Sequence, residues 1–272
     1  MPELPEVEQV RKTLAPHILG RTITGVEVYL PRQIVHPGPE AFIKALTGAT
    51  FTGVGRRGKY LLLEFDSMRL VVHLRMTGAL FVKDQEAAEP KYAKIKFALT
   101  GGTNLWFTDI RTFGTLYLIN NDDYHIKGLE TLGPEPLSPD FNEKYLAGAC
   151  AKSARPIKSL ILDQTVIAGL GNIYADESLA AAGILPFRVA STLSVEETAR
   201  LYTAINAAIA QGIANRGTTF RDYMDGEGNM GENQNHLLVY GRRGKPCRRC
   251  ARPLSSCKVG GRGTTYCEFC QK

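Results

Sequence analysis

Cysteine spacing constrains this chain more than any other feature. Near the C-terminus stand Cys247-x2-Cys250 and, sixteen residues on, Cys267-x2-Cys270. Each two-residue gap forms a knuckle that aims both sulfurs inward, so the four thiolates suit a tetrahedral zinc. The competing arrangement is a pair of disulfides, which a reducing cytoplasm disfavours. Four sulfur ligands leave no open coordination position, so one structural zinc ion is expected rather than a catalytic one. Cys150 and Cys257 have no partner at ligand spacing and read as ordinary thiols.

Charge sharpens this reading. The net charge is +6, yet residues 1–150 balance at 17 Lys/Arg against 17 Asp/Glu, while residues 151–272 hold 16 against 10. Between Arg242 and Arg262 lie eight basic residues and no acidic one. Alone this is a solvated face; beside the cysteine cluster it points to a phosphate-facing surface. No apolar run approaches the ~18–20 residues that would cross a bilayer. The N-terminus is acidic and periodic, unlike a secretory signal. A cytoplasmic protein with no membrane association is expected.

Periodicity organises the rest. Leu4, Val7, Val10, Leu14 and Ile18 recur at helical spacing after Pro2 and Pro5, and Gly20 stops the run. From Thr22 to Asn120 the texture changes to short extended segments, among them Tyr60–Phe65, Leu70–Met76 and Lys94–Leu99. In the last, Ile95, Phe97 and Leu99 point inward and Lys94 and Lys96 outward, and glycine-rich breaks separate the segments. Leu132–Pro139 carries three prolines and reads as a linker. Helical period then returns at Phe141–Ala151, Arg155–Leu162 and Ile173–Ala182. Ser194-x-x-Glu197 is a capping box opening a further helix. Residues 217–231 are polar and glycine-rich and read as a mobile loop. The expected fold is α+β: an N-terminal β-sandwich domain with an N-terminal helix at 1–131, a linker at 132–140, a helical domain at 141–236 and a zinc-ribbon finger at 237–272.

The first residues, MPELPE, also carry chemistry. Removal of Met1 would leave a free secondary amine on Pro2. An α-amino group titrates at about 7.7–8.0 against about 10.4 for lysine, so far more of it is unprotonated at neutral pH. Such an amine can attack a sugar C1′ and form an iminium directly. Glu3 and Glu6 lie within one helical turn and could move protons. The alternative stands beside it: proline at a helix start and glutamate in the first turn are also what helix stability favours.

Seven segments, taken in order, carry a resemblance. They are MPELPEVE at the start, GRRGKYL at 55–61, HLRMTG at 73–78, DIRTFG at 109–114, GLGNIYADE at 169–177, VYGRRGKPC at 239–247 and GRGTTYC at 261–267. Over essentially its full length the chain resembles the bacterial formamidopyrimidine-DNA glycosylases, which are 8-oxoguanine DNA glycosylases and abasic-site lyases. The resemblance implies a helix–two-turn–helix C-terminal domain ending in the four-cysteine ribbon. It also implies base-excision repair of double-stranded DNA bearing oxidised purines or abasic sites, by a monomer, through a proline iminium and β,δ-elimination.

The resemblance further implies roles for single residues. Pro2 would be the nucleophile and Glu3 the general acid/base, supported by Glu6. Lys59 and Arg262 would belong to the catalytic set, Lys59 contacting the damaged nucleotide and an adjacent phosphate. Met76, Arg111 and Phe113 would fill the hole left by the flipped nucleotide, an apolar wedge with an arginine for the orphaned base. His73, Asn172, Tyr240 and Arg262 would grip phosphates, and Arg221 would order the 217–231 loop over the extruded base. Cys247, Cys250, Cys267 and Cys270 would hold the zinc. Without the resemblance, Lys59 reads as an exposed lysine at a strand start, Met76 and Phe113 as strand core, Tyr240 as a packed aromatic, His73 as a core histidine and Asn172 as a helix cap. Lys91-Tyr92-Ala93-Lys94, Arg216-Gly217 and Asn233-Gln234-Asn235-His236 depart from the family pattern. Two rivals are an endonuclease VIII-type enzyme acting on oxidised pyrimidines and a non-catalytic DNA-binding zinc-ribbon protein.

Overall fold

The computed structural model describes residues 1–120 and 124–272. Helix α1 (Leu4–Ile18) opens the chain. Pro5 sits in its first turn, where a missing N–H costs no hydrogen bond. Leu4, Val7, Val10, Leu14 and Ile18 form one closed apolar stripe. Full burial of such a side chain contributes about 1.5–3 kcal/mol. Strands β1 (Ile23–Val28) and β2 (Ile34–His36) follow, then helix α2 (Pro39–Leu46). This helix corrects the extended reading of residues 22–120. Pro39 pre-sets the first helical φ, and Phe42 and Leu46, four apart, share a buried face.

Seven more strands complete two sheets: β3 (Gly53–Arg57), β4 (Tyr60–Glu64), β5 (Met68–His73), β6 (Gly78–Asp84), β7 (Ala93–Leu99), β8 (Thr103–Asp109) and β9 (Thr115–Asn120). One sheet runs β1-β7-β8-β6 and the other β2-β9-β5-β4-β3. Their inner faces share one core with α1, in which Leu61, Leu70 and Leu116 join Ile95, Phe97 and Phe107. This is the expected β-sandwich, and along β7 the alternation is as read, with Ile95, Phe97 and Leu99 closed. Strand β5 stops three residues short of Met76, because Arg75 takes φ 55° and turns the chain away. Met76 thus leaves the strand, and core packing is not its role.

The chain divides into two compact units, Met1–Glu130 with Asn215–Gln234, and Thr131–Ala214 with Asn235–Lys272. A short helix, α3 (Lys127–Glu130), closes the first stretch. The glycine-rich segment 217–231 therefore packs with the sandwich, where the sequence had grouped it with the helices. Side chains of α1 hold it: Glu6 Oε1 accepts from the Thr218 N–H at 2.7 Å and Thr13 Oγ1 from the Gly226 N–H at 2.8 Å.

The second unit contains α4 (Glu143–Ala151), α5 (Ile157–Ile161), α6 (Asn172–Ala182), α7 (Val195–Ala214) and the hairpin β10 (Ser255–Val259)–β11 (Arg262–Tyr266). Asn142 caps α4 by accepting from the Tyr145 N–H. Ser194 and Glu197 exchange both arms of the capping box that opens α7. Helices α6 and α7 pack closely at Gly212, where a Cβ would lie 2.5 Å from the Tyr174 ring. The proline-rich stretch 132–139 is laid along this unit, since Gly133 donates to the Gln164 carbonyl and Ala168 to that of Pro134. Among the described residues, no helix is long and apolar enough to cross a membrane.

Candidate functional site

In the first unit the chain start is a buried knot. Pro2, Glu3 and Glu6 are all closed to solvent, while Met1 is half-exposed. The Glu6 carboxylate is shared: Oε2 accepts from the Glu3 N–H at 2.8 Å and Oε1 from the Thr218 N–H at 2.7 Å. One side chain thereby fixes the first helical turn and the start of the 217–231 segment. The Tyr223 hydroxyl donates to the Glu6 carbonyl at 3.3 Å, and a Cβ on Gly217 would meet Glu6 Cγ at 3.0 Å. Arg216, where φ is 58°, pairs with the buried Asp225 at 2.9 Å. Arg221 is exposed on the same segment.

Lys59 occupies the two-residue hairpin turn between β3 and β4 with Gly58, and it is buried. The reading of an exposed lysine at a strand start is therefore corrected. Across the ladder Tyr60 pairs with His73, whose ring meets the Tyr60 ring edge-on at 4.5 Å. Burial pushes the His73 imidazole down to about 3, and the Arg75 and Lys59 cations push the same way. His73 is thus neutral, and its Nδ1 accepts from the Arg75 N–H at 3.0 Å. The proton consequently resides on Nε2, the nitrogen left to donate.

Met76, Arg111 and Phe113 converge on the surface of this unit. An Arg111 guanidinium nitrogen lies 3.0 Å from the Met76 sulfur, and the guanidinium covers the Phe113 ring at 4.9 Å. Met76 is 43% exposed and Phe113 52%. An exposed wedge of two apolar side chains with a cation between them has no use in a strand core, so the core-packing alternative falls.

The second unit presents Asn172, Tyr240 and Arg262 through one helix. Gly171 is the N-cap of α6, so Asn172 is its first helical residue and not its cap. The Asn172 side-chain amide donates to the Gly263 carbonyl at 3.0 Å. Asp176, one turn on, accepts from the Thr265 N–H at 3.1 Å and pairs with the buried Lys158 ammonium. Lys158 in turn donates to Thr264 Oγ1 at 2.7 Å and the Gly263 carbonyl at 3.0 Å. These bonds pin the strand that begins at the exposed Arg262. Two glycines with left-handed φ, Gly260 and Gly261, make the tight turn before it. Next on α6, Glu177 accepts from the N–H groups of Leu238, Val239 and Tyr240. Burial raises its carboxyl, and those three donors oppose the shift.

Cys247, Cys250, Cys267 and Cys270 bring their sulfurs within 4.8 Å of one another. Four sulfurs about 2.3 Å from a zinc sit about 3.8 Å apart. Cys247 and Cys270 lie at 3.9 Å and Cys250 and Cys267 at 3.5 Å. The Arg249 N–H points at the Cys247 sulfur at 3.4 Å, a backbone donor suited to a thiolate. The residues fit one structural zinc. Cys150 is buried and pushed up to about 11, an inert thiol.

Sequence reasoning missed the supports. Lys158, Asp176, Glu177 and Asp109 were overlooked, although Asp176, Glu177 and Asp109 stand inside the segments GLGNIYADE and DIRTFG. Charged residues amid glycines and apolar side chains were the available signal, because burial demands a partner for each.

Three family descriptions match in order along the chain. They are the formamidopyrimidine-DNA glycosylase N-terminal domain over residues 1–116, the formamidopyrimidine-DNA glycosylase H2TH domain over 132–223, and a zinc finger found in FPG and IleRS over 244–272. The formamidopyrimidine-DNA glycosylase of Moorella thermoacetica is 51% identical over 93% of both chains, and that of Geobacillus kaustophilus is 46% identical over the whole of both. Among solved structures, Lactococcus lactis Fpg bound to DNA containing an abasic site is 39% identical, with a TM-score of 0.93 over 99% of both chains. The same protein bound to DNA carrying an N7-benzyl-Fapy-dG gives 0.92 over the whole of both.

Proposed function

The chain belongs to the formamidopyrimidine-DNA glycosylase family, and on that premise we propose that it is a base-excision repair enzyme, a DNA N-glycosylase with abasic-site lyase activity that removes oxidised purines from duplex DNA. The observation that carries this reading is the buried Pro2–Glu3–Glu6 knot, in which one carboxylate ties the chain start to the Thr218 backbone. Once Met1 is removed, the Pro2 nitrogen is a secondary amine. It bonds to C1′ of the damaged nucleotide as the C1′–N bond breaks and the base leaves with a proton. The C1′–O4′ bond then opens as Glu3 passes the amine proton to O4′, which leaves an iminium between the Pro2 nitrogen and C1′. Loss of a C2′ proton from the resulting iminium expels the 3′ phosphate, and a second elimination expels the 5′ phosphate.

The remaining residues hold the DNA for this chemistry. Lys59 engages the damaged nucleotide and its phosphate. Neutral His73 offers Nε2–H as a donor, while Asn172, Tyr240 and Arg262 take phosphates from the second unit. Met76, Arg111 and Phe113 fill the space vacated by the extruded nucleotide, and Arg221 orders the 217–231 segment over it. A zinc bound by Cys247, Cys250, Cys267 and Cys270 supplies folding energy to the finger that carries Arg262. The enzyme works as a cytoplasmic monomer, without a membrane.

Borohydride reduction on a duplex with 8-oxoguanine opposite cytosine tests this reading. The expected product is a covalent protein–DNA adduct whose sugar maps to Pro2. An adduct mapped to a lysine, or none at all, overturns it. Greater trapping on thymine glycol opposite adenine would instead assign oxidised pyrimidines.

A further inference from the structure

Two turns carry the exposed wedge, and each contains a non-glycine residue in the left-handed region. Arg75, at φ 55°, immediately precedes Met76, and Thr112, at φ 58°, immediately precedes Phe113. Such conformations persist only where the surroundings dictate them. One side chain reaches both turns. Asp109, at the end of β8, is 1% exposed. Its Oδ1 accepts from Thr77 Oγ1 at 2.6 Å and from the Arg111 N–H at 3.2 Å. Its Oδ2 accepts from the Gly114 N–H at 2.8 Å and from Gln33 Nε2 at 2.8 Å. Thr77 Oγ1 receives the Arg111 N–H as well, at 2.9 Å, so the two turns are stitched to each other and not only to the carboxylate. Glycine is required at 114, where a Cβ would stand 2.6 Å from the Phe107 ring and 3.1 Å from Asp109 Oδ2.

We infer that Asp109 is a positioning residue for nucleotide extrusion, holding the Met76 turn and the Arg111–Phe113 turn as one rigid wedge through the Thr77 hydroxyl and the Gly114 amide. This rests on the reading that Met76, Arg111 and Phe113 enter the duplex. All four donors to Asp109 are neutral, so the carboxylate serves geometry and not charge pairing. Its two oxygens are each surrounded by donors, and no amide can replace it. In Asp109→Asn the NH2 group must face either the Arg111 N–H or the pair from Gly114 and Gln33, donor against donor. One of the two turns is then released while the side-chain volume stays the same.

The experiment compares the wild-type enzyme with Asp109→Asn, Thr77→Val, Thr77→Ser and Phe113→Ala. Three quantities are read: excision kcat on an 8-oxoguanine duplex, the fluorescence rise of a 2-aminopurine placed beside the lesion, and borohydride trapping on a single-stranded abasic oligonucleotide, which needs no wedge. For Asp109→Asn and Thr77→Val, duplex excision is expected to fall about tenfold and the fluorescence rise to shrink with it. Single-stranded trapping should stay within about twofold of wild type, and Thr77→Ser should restore excision because it keeps the hydroxyl. If Phe113→Ala loses the fluorescence rise while Asp109→Asn and Thr77→Val keep it, the inference is overturned and the wedge reading survives. If Phe113→Ala also keeps it, the wedge reading falls and the inference with it. Should Asp109→Asn fail to fold, Thr77→Val against Thr77→Ser decides the matter alone.

Discussion

The Lys158 ammonium nitrogen lies 2.6 Å from an Asp176 carboxylate oxygen, and the two side chains are 0% and 1% exposed. This ion pair sits beneath the hairpin that begins β11 at Arg262, and the same ammonium donates to Thr264 Oγ1. Breaking a buried pair leaves an uncompensated charge, whereas replacing both members with apolar groups does not.

Lys158→Met is therefore expected to destabilise the protein by about 3–5 kcal/mol, and the Lys158→Met/Asp176→Leu double variant to regain more than half of that. Urea unfolding followed by circular dichroism measures both. Equal losses in the single and double variants would show that Lys158 contributes through its bonds to Gly263 and Thr264 and not through its pairing with Asp176.

His73 sets a pH dependence. Its folded imidazole is pushed down to about 3 by burial, with Arg75 and Lys59 adding to the shift. An unfolded histidine titrates near about 6.5. Between those values the unfolded chain binds a proton that the folded chain does not. The contribution is whole above about pH 6.5 and is lost as pH falls toward 3. Relative to His73→Gln, the wild-type protein should lose stability on acidification with a slope approaching about 1.4 kcal/mol per pH unit. Urea midpoints from about pH 7.5 down to 4.5 check this, and parallel profiles for the two proteins would refute it.

Retention of Met1 is a direct test of the amine. With Met1 in place the Pro2 nitrogen is an amide and cannot attack. A preparation blocked from methionine removal should bind a lesion duplex with wild-type affinity and lose excision by at least about a thousandfold. Full turnover by the Met1-bearing protein, verified by mass spectrometry, would remove Pro2 from the mechanism.

Zinc removal should act on binding before chemistry. A chelator is expected to release one zinc per chain and unfold the finger, so lesion-duplex affinity collapses. Arg262→Ala keeps the finger and should lower the log–log salt slope by roughly one. Salt titrations by fluorescence anisotropy separate the two, and an unchanged slope would mean that Arg262 neutralises no phosphate.

Much of the fold was legible because periodicity records burial directly. Helix α1, the alternation along β7, the capping box at Ser194 and the four cysteines were each readable from spacing. What escaped was set by contacts distant in sequence. Helix α2 was hidden in a strand-rich region because its eight residues complete only about two turns. The exposure of Met76 and Phe113 depends on two left-handed turns, and nothing in the composition of HLRMTG or DIRTFG announces that Arg75 and Thr112 adopt them. Without the resemblance Lys59 reads as a surface residue, yet it is buried in the two-residue turn between β3 and β4. The 217–231 segment looked untethered because its anchor, Glu6, lies 212 residues away in the chain.

That anchor bears on engineering. The donor at position 218 is a backbone N–H, so a change of side chain there leaves it in place, whereas proline at 218 or an altered course of the chain takes a partner from the carboxylate that also accepts from the Glu3 N–H. A library over positions 217–224 therefore leaves the first helical turn anchored wherever it keeps glycine at 217, where a Cβ would meet Glu6 Cγ at 3.0 Å, and excludes proline at 218.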